Sequence, residues 1–226
     1  ARVVGIAKGV GMIEPDMATH ISLLFTDAAV DAADLDTVFR RVVDRTFNCV
    51  SIDTDTSTSD SSVVMASGAA GPVDLAEFEA ALDAVCLDLT KQIARDGEGA
   101  NSMIEVRVER AADAAQATRV AKAIVNSPLV KTAVHGGDPN WGRVAMAIGK
   151  CSDDVDIDQE RVEIRFGEAE VYPHLLDDDA LAALSSYMSS DHVVIGVSLH
   201  TGDAEATVYG CDLSDEYVRF NADYTT

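Results

Sequence analysis

Lys8-Gly9-Val10-Gly11-Met12-Ile13-Glu14-Pro15-Asp16-Met17-Ala18-Thr19 leads directly into the apolar run Ile21-Ser22-Leu23-Leu24-Phe25. Gly9 and Gly11 permit positive φ and close backbone approach. Pro15 keeps the residue before it out of the helical region. The small-residue step Ala18-Thr19 therefore delivers a threonine to the mouth of a buried strand. A hydroxyl in that place can attack the preceding peptide carbonyl, and the α-amine so freed can serve as general base. The same residues also fit a glycine loop before a core strand, with Thr19 an ordinary strand residue.

Outward from this stretch, periodicity predicts a strand at 20–26 and a helix from the Asp31/Asp34 caps to about Arg45. Short strands follow at 50–52 and 62–67. Asp74 caps a long helix ending at Gly97, with Leu75, Phe78, Leu82, Val85, Leu89 and Ile93 at helical spacing. A strand at 103–109 precedes a helix at about 113–126, with Ala117, Val120, Ala121 and Ile124 inward. Val144–Gly149 reads as a short helix or strand. Strands are expected at 161–166 and 169–172, a helix at 177–188, and strands at 192–200, 204–211 and 216–221. Interleaved helices and strands predict an α/β (α+β) architecture of layered sheets.

With 226 residues, 47% hydrophobic and 25% charged, the chain can build a sizeable core. Its net charge of −22 argues against nucleic acid and anionic membrane as partners, since both attract basic surfaces. Cys49, Cys86, Cys151 and Cys211 form no C-x-x-C pair and fit a thiol-bearing cytoplasmic protein. No apolar run approaches the ~18 residues of a membrane span. The glycine-broken N-terminal stretch lacks the apolar run of a signal peptide.

Four further segments bear on chemistry. Asp53-Thr54-Asp55 supplies the paired aspartates of D-x-D-x-T, the nucleophile motif of haloacid-dehalogenase-type phosphatases, with Asp53 as nucleophile, Asp55 as acid/base and Mg²⁺ as the metal. No later strand ends in the paired aspartates that would complete that metal site. The bland reading of the loop has Asp and Thr side chains bonding their own backbone. In Gly97-Glu98-Gly99 a carboxylate stands at a helix end, where the dipole mildly disfavours it. Residues 126–143 hold His135 and Trp141, the latter a candidate pocket wall, with Asp138 read as the cap of a helix starting at Pro139. The tail Asn221-Ala222-Asp223-Tyr224-Thr225-Thr226 reads by default as fraying, with Tyr217, Phe220 and Tyr224 as its available anchors.

Taken together, K-G-x-G-M-I-x-P-x-M-A-T, the D-x-D-T-S-T run, D-G-E-G-A and S-P-L-V-K-T-A…G-D-P-N-W-G-R resemble the ornithine acetyltransferase (glutamate N-acetyltransferase) family from Lys8 to Thr226. The resemblance implies the layered DmpA/ArgJ-like fold, with sheets sandwiched by helices and a second smaller lobe. Residues 1–18 would then end an α chain, 19–112 belong to the catalytic domain, 113–190 form the second lobe, and 191–226 return to the active site. It also implies self-cleavage between Ala18 and Thr19, with Thr19 as the nucleophile that moves an acetyl group from N2-acetylornithine to glutamate. Lys8, Thr19, Glu98, Asn221 and Thr226 would contact substrate. No metal or coenzyme is expected, although acetyl-CoA is allowed as an alternative donor.

The expected partner is the α chain of the same precursor, in an α2β2 heterotetramer located in the cytoplasm. A paralogous acetyltransferase of clavulanic acid biosynthesis carries closely similar motifs. The Mg²⁺-dependent phosphatase and a non-catalytic acidic binding protein are the readings from other classes. The chain departs from the family at His20, where methionine is usual, and at Asn101-Ser102, where Thr-Lys is usual.

Overall fold

The computed structural model describes residues 1–9, 11–14, 20–55, 60–151, 156–174 and 176–223, which form two compact units, Ala1–Ala94 and Arg95–Thr226. Ala18, Thr19 and Thr226 lie outside the described residues. The division falls within the expected 19–112 segment.

In the first unit, β1 (Val3–Lys8), β2 (Ile21–Thr26) and β3 (Ser61–Ala66) form a sheet in that order. β1 runs antiparallel to β2, and β2 parallel to β3 through the crossover helix α1 (Ala32–Arg45). Helix α2 (Leu75–Arg95) presents Val85 and Leu89 to Gly5 of β1. A Cβ at Gly5 would stand 2.5 Å from Leu24 Cδ1 and 2.9 Å from Leu89 Cδ1, so any larger residue there would require these leucine side chains to shift. Leu24, Val38, Val42, Phe78 and Leu82 are buried in the resulting core. Arg41 and Arg45 of α1 pair with Glu79 of α2 at its rim.

The opposite face of this sheet is apolar and open. Val4, Phe25 and Met65 are register partners across the three strands, as are Ile6, Leu23 and Val63. All of these except the half-buried Leu23 are exposed.

The second unit has a five-stranded sheet in the order β6 (Ala169–Tyr172), β5 (Glu163–Phe166), β7 (His192–Ser198), β4 (Met103–Ala111), β8 (Ala204–Cys211). β4 is parallel to β7 and antiparallel to β8. One face packs Ile104, Val106, Val108, Val193, Ile195 and Val197 against α3 (Ala114–Val125), α5 (Trp141–Gly149) and α6 (Asp178–Met188). Ala117, Val120, Ala121 and Ile124, the residues expected inward on α3, are all fully buried. The other face is a ladder of charges, with Glu105 bonded to Arg107 and His192, and Arg165 to Glu109 and Glu163.

Three expectations about elements are corrected, and one helix that none of them covered is added. Val50–Ile52 is not a strand: a 3-10 turn at Phe47–Cys49 leads into buried backbone, where Ile52 N–H donates to Ile13 O at 2.7 Å. Residues 131–143 contain a helix, α4 (Pro128–His135), started by Pro128 and capped by the Ser127 hydroxyl. Asn140, not Asp138, caps the next helix, which begins at Trp141. Most consequentially, 216–221 is helical: α7 spans Asp215–Asp223. The alternation that suggested a strand is outweighed by a start signal, in which Ser214 Oγ accepts from Tyr217 N–H while Asp215 and Glu216 occupy the positive end of the helix dipole.

Candidate active site

In the first unit, Lys8 is the last residue of β1 and the register partner of Ile21, two residues along the chain from Thr19. The sheet itself therefore brings the lysine to the head of the strand that follows the expected cleavage site. Asp53 braces this end of the loop: its carboxylate accepts from Met12 N–H at 2.6 Å and Ile13 N–H at 2.9 Å. Met12 has φ +55°, a left-handed conformation uncommon for a non-glycine residue, and the two charge-assisted bonds hold it there. The aspartate at the centre of the phosphatase reading thus acts as a backbone clamp, but on a segment 41 and 40 residues away, where the bland reading has the loop's own backbone.

His20 follows Thr19 and is buried, with its ring 4.5 Å from that of Phe47. Burial depresses the imidazole to a pKa of about 4, so it is neutral at physiological pH. Its backbone N–H donates to Asp60 Oδ1 at 2.6 Å, and its carbonyl accepts from Ser61 N–H at 3.0 Å. The head of β2 is thereby pinned to the head of β3 by main chain and carboxylate together.

In the second unit, the glycine-flanked Glu98 meets the C-terminal helix. Gly99 adopts φ +69°, and a Cβ there would lie 2.5 Å from Tyr217 N and 3.1 Å from Glu216 C. This close approach lets Ser214 Oγ donate to Gly99 O at 2.6 Å, docking the first turn of α7 on the loop. One and a half turns later, Asn221 Nδ2 donates to Glu98 Oε2 at 2.8 Å and to Tyr217 O at 2.9 Å. Two residues expected to share a substrate site therefore touch each other. The expected anchors fare differently: Tyr217 is half-buried, Phe220 is exposed, and Tyr224 lies outside the described residues.

Behind this pair stands Asp212, a residue that sequence reasoning missed. It is buried, accepts from Asn101 N–H at 2.8 Å and Ser102 N–H at 3.0 Å through Oδ1, and meets His135 Nδ1 at 2.7 Å through Oδ2. One carboxylate thus fixes the exit of the Glu98 loop and the end of α4. Nothing in Cys211-Asp212-Leu213 distinguishes it from a surface aspartate; only the strand pairing that ends at Cys211 buries it.

The G-D-P-N-W-G-R segment works elsewhere. Arg143 donates to Leu129 O at 2.7 Å and Thr132 Oγ1 at 3.1 Å, tying α5 to α4. Trp141 stacks on Tyr172 with centroids 4.8 Å apart. The two rings wall a cavity of about 530 Å³ that includes none of Glu98, Asn221 or Asp212.

Among the described residues, no helix is long and apolar enough to cross a membrane. The chain is 63% identical over its whole length to glutamate N-acetyltransferase Oat2 of Streptomyces clavuligerus, and 60% identical to the arginine biosynthesis bifunctional protein ArgJ 2 of a Nostoc species. It spans 59% and 58% of those two proteins, respectively. The crystal structure of the arginine biosynthesis bifunctional protein ArgJ from Bacillus halodurans superposes with a TM-score of 0.82 at 42% identity, covering 88% of this chain and 97% of that one. That match bears out the layered α/β fold, and the family's sequence profile covers residues 1–226 in full. The chain belongs to the ArgJ family.

Proposed function

We propose that this chain carries the nucleophile-bearing part of an acetyltransferase that moves an acetyl group from N2-acetylornithine to glutamate. The reaction begins once the Ala18–Thr19 bond has been cut. The single observation that carries the reading is the 2.8 Å contact between Asn221 and Glu98, the two expected substrate residues, made across most of the second unit. The activity for which the Streptomyces relative is named, glutamate N-acetyltransferase, agrees with it.

In this mechanism the Thr19 hydroxyl attacks the acetyl carbonyl while its own α-amine takes the proton. An unperturbed α-amine has a pKa of roughly 7.7–8.0, suited to a base near neutrality. Ornithine leaves with that proton, and the amine of glutamate then accepts the acetyl group from the Thr19 ester. Lys8 pairs with a substrate α-carboxylate. Glu98, oriented by Asn221, and the terminal carboxylate of Thr226 pair with the ammonium groups of ornithine. The exchange needs no metal or coenzyme, and acetyl-CoA is an alternative acetyl donor.

The partner is the α chain of the same precursor, assembled as an α2β2 heterotetramer in the cytoplasm. Two observations support a separate α chain. The Bacillus chain is matched over 97% of its own length, whereas the curated relatives are matched over less than 60%, as expected if the family occurs as a shorter, cut chain. The open apolar face of the three-stranded sheet is also what an absent layer would cover.

Intact-mass analysis of the full-length precursor tests the reading. A fragment beginning at Thr19 that gains one acetyl group on incubation with N2-acetylornithine is expected. A chain that stays uncut and unacetylated would sink it.

A further inference from the structure

The pairing of β4 with β8 stops at Met103 and Cys211, and the next residue carries it on with its side chain. Asp212 N–H donates to Ser102 O at 3.0 Å, while its Oδ1 takes the N–H groups of both Asn101 and Ser102. Two residues later, Ser214 Oγ donates to Gly99 O. Glu98 stands in the loop so held, between two glycines that give it no stiffness of their own. A turn bond from Ala100 N–H to Gly97 O at 2.9 Å tightens the bend, and the Asp212 bonds fix where the loop ends. Among the described residues, no other charged side chain bonds the backbone of 97–102.

Asp212 is gripped in turn from α4. Lys131 and His135 stand four residues apart on that helix and share a face. The buried Lys131 ammonium donates to Cys211 O, and His135 Nδ1 meets Asp212 Oδ2. The Asp212 side chain is fully buried, so both of its oxygens need partners, and both have them. A carboxylate only accepts, so His135 Nδ1 carries the hydrogen. Asn101 Nδ2, 3.4 Å from the same nitrogen, is then a neighbour and no partner.

We infer that Asp212 is the positioning residue of Glu98 and sets the preference for an acetyl donor with a side-chain ammonium, and that His135 orients Asp212. The assignment rests on the reading of Glu98 as the partner of that ammonium in N2-acetylornithine. Asn221 restrains one Glu98 oxygen from α7, whereas Asp212 restrains the backbone that carries the side chain. A group that meets a cation works only when held to about 0.5 Å, and a glycine-flanked loop reaches that precision through its supports.

The test uses the full-length precursor, matured in the cell, with two acetyl donors, N2-acetylornithine and N-acetylglutamate. The second is the product of the proposed exchange. It acetylates Thr19 by the reverse of the last step and carries no ammonium, and transfer to isotopically labelled glutamate reads both donors. In Asp212→Ala, kcat/KM for N2-acetylornithine should fall about tenfold or more, with that for N-acetylglutamate within about threefold. A merely structural role would lower both alike. The His135 side chain reaches solvent, so its substitutions spare the fold. His135→Leu leaves Asp212 Oδ2 without this donor and should lower the ratio of the two kcat/KM values about threefold or more. His135→Asn, whose amide nitrogen can stand where Nδ1 stands, should restore the ratio to within about twofold of wild type. If Asp212→Ala does not fold, the two His135 variants decide. Glu98→Gln is the control. A ratio that falls in Glu98→Gln but not in the Asp212 and His135 variants overturns the positioning role. An unchanged ratio in Glu98→Gln overturns the underlying reading of Glu98 instead.

Discussion

Asn221 and Glu98 are 123 residues apart in sequence and joined by a 2.8 Å hydrogen bond from Nδ2 to Oε2. The amide uses its second N–H on Tyr217 O within its own helix, so both donors are engaged and the carboxylate is held at one oxygen. Among the described residues no other hydrogen bond engages Glu98, which leaves its second oxygen for the cationic substrate proposed above.

Replacing either partner should weaken substrate binding and spare self-cleavage. A hydrogen bond to a charged group contributes about 1.5–3 kcal/mol, so Glu98→Gln and Asn221→Ala should each raise KM for N2-acetylornithine about tenfold or more. Steady-state kinetics on the matured enzyme checks this. An unchanged KM in both variants would remove the pair from the site.

Gly99→Ala tests the same geometry from the backbone. The added methyl group would meet Tyr217 N at 2.5 Å at a residue with φ +69°. Either α7 shifts or the loop does, and both separate Asn221 from Glu98. The expected phenotype is that of Asn221→Ala, together with about 1–2 kcal/mol of lost stability. Kinetics and thermal unfolding of the variant measure the two effects.

Thr19→Ala should abolish both cutting and acetyl transfer, because in the proposed mechanism one hydroxyl performs both attacks, whereas Thr19→Ser should retain part of each. A denaturing gel and an acetyl-transfer assay on the same preparation report the two activities. Normal transfer by the alanine variant would refute the nucleophile assignment.

His20 predicts a pH dependence of stability. Its folded pKa of about 4 lies below the ordinary value of 6.5, so the unfolded chain binds more protons between these two values. Stability is fully present above pH 6.5 and is lost as pH falls toward 4, by an amount on the order of 2–3 kcal/mol. His20→Met, which places the family's usual residue there, should flatten the melting temperature across that window. Thermal melts of the two proteins at matched ionic strength are the check.

Asp53 separates clamp from metal ligand. Asp53→Ala removes two charge-assisted bonds to the loop that leads to Thr19, and should slow self-cleavage while costing about 2–4 kcal/mol. EDTA should leave acetyl transfer unchanged. Activity lost to EDTA and restored by Mg²⁺ would return Asp53 and Asp55 to the centre of the chemistry.

How much of this was legible beforehand varies with how local the cause is. The inward face of α3 was readable because four residues at helical spacing all point to one sheet. β2 was readable because an apolar run follows a glycine loop. The helix at Asp215–Asp223 was misread as a strand because its exposed face carries Val218 and Phe220, which mimic strand alternation, while its start depends on Ser214 reaching Gly99 more than a hundred residues away. Asp212 was invisible for the same reason. It is an ordinary polar residue until long-range pairing buries it against particular backbone amides. Lys8, Glu98 and Asn221 came from the family resemblance, and the chain's geometry adds who holds them.

The uncovered face of the three-stranded sheet, set beside a net charge of −22, has a consequence for handling the protein. Mutual repulsion keeps copies apart at low ionic strength even though each exposes a band of valine, isoleucine, phenylalanine and methionine. In about 1 M salt the screening length shrinks to roughly 3 Å, that repulsion fades, and contact between the bands is no longer opposed. This chain should therefore stay dispersed in dilute buffer and self-associate as salt is added, the reverse of a protein held together by ion pairs.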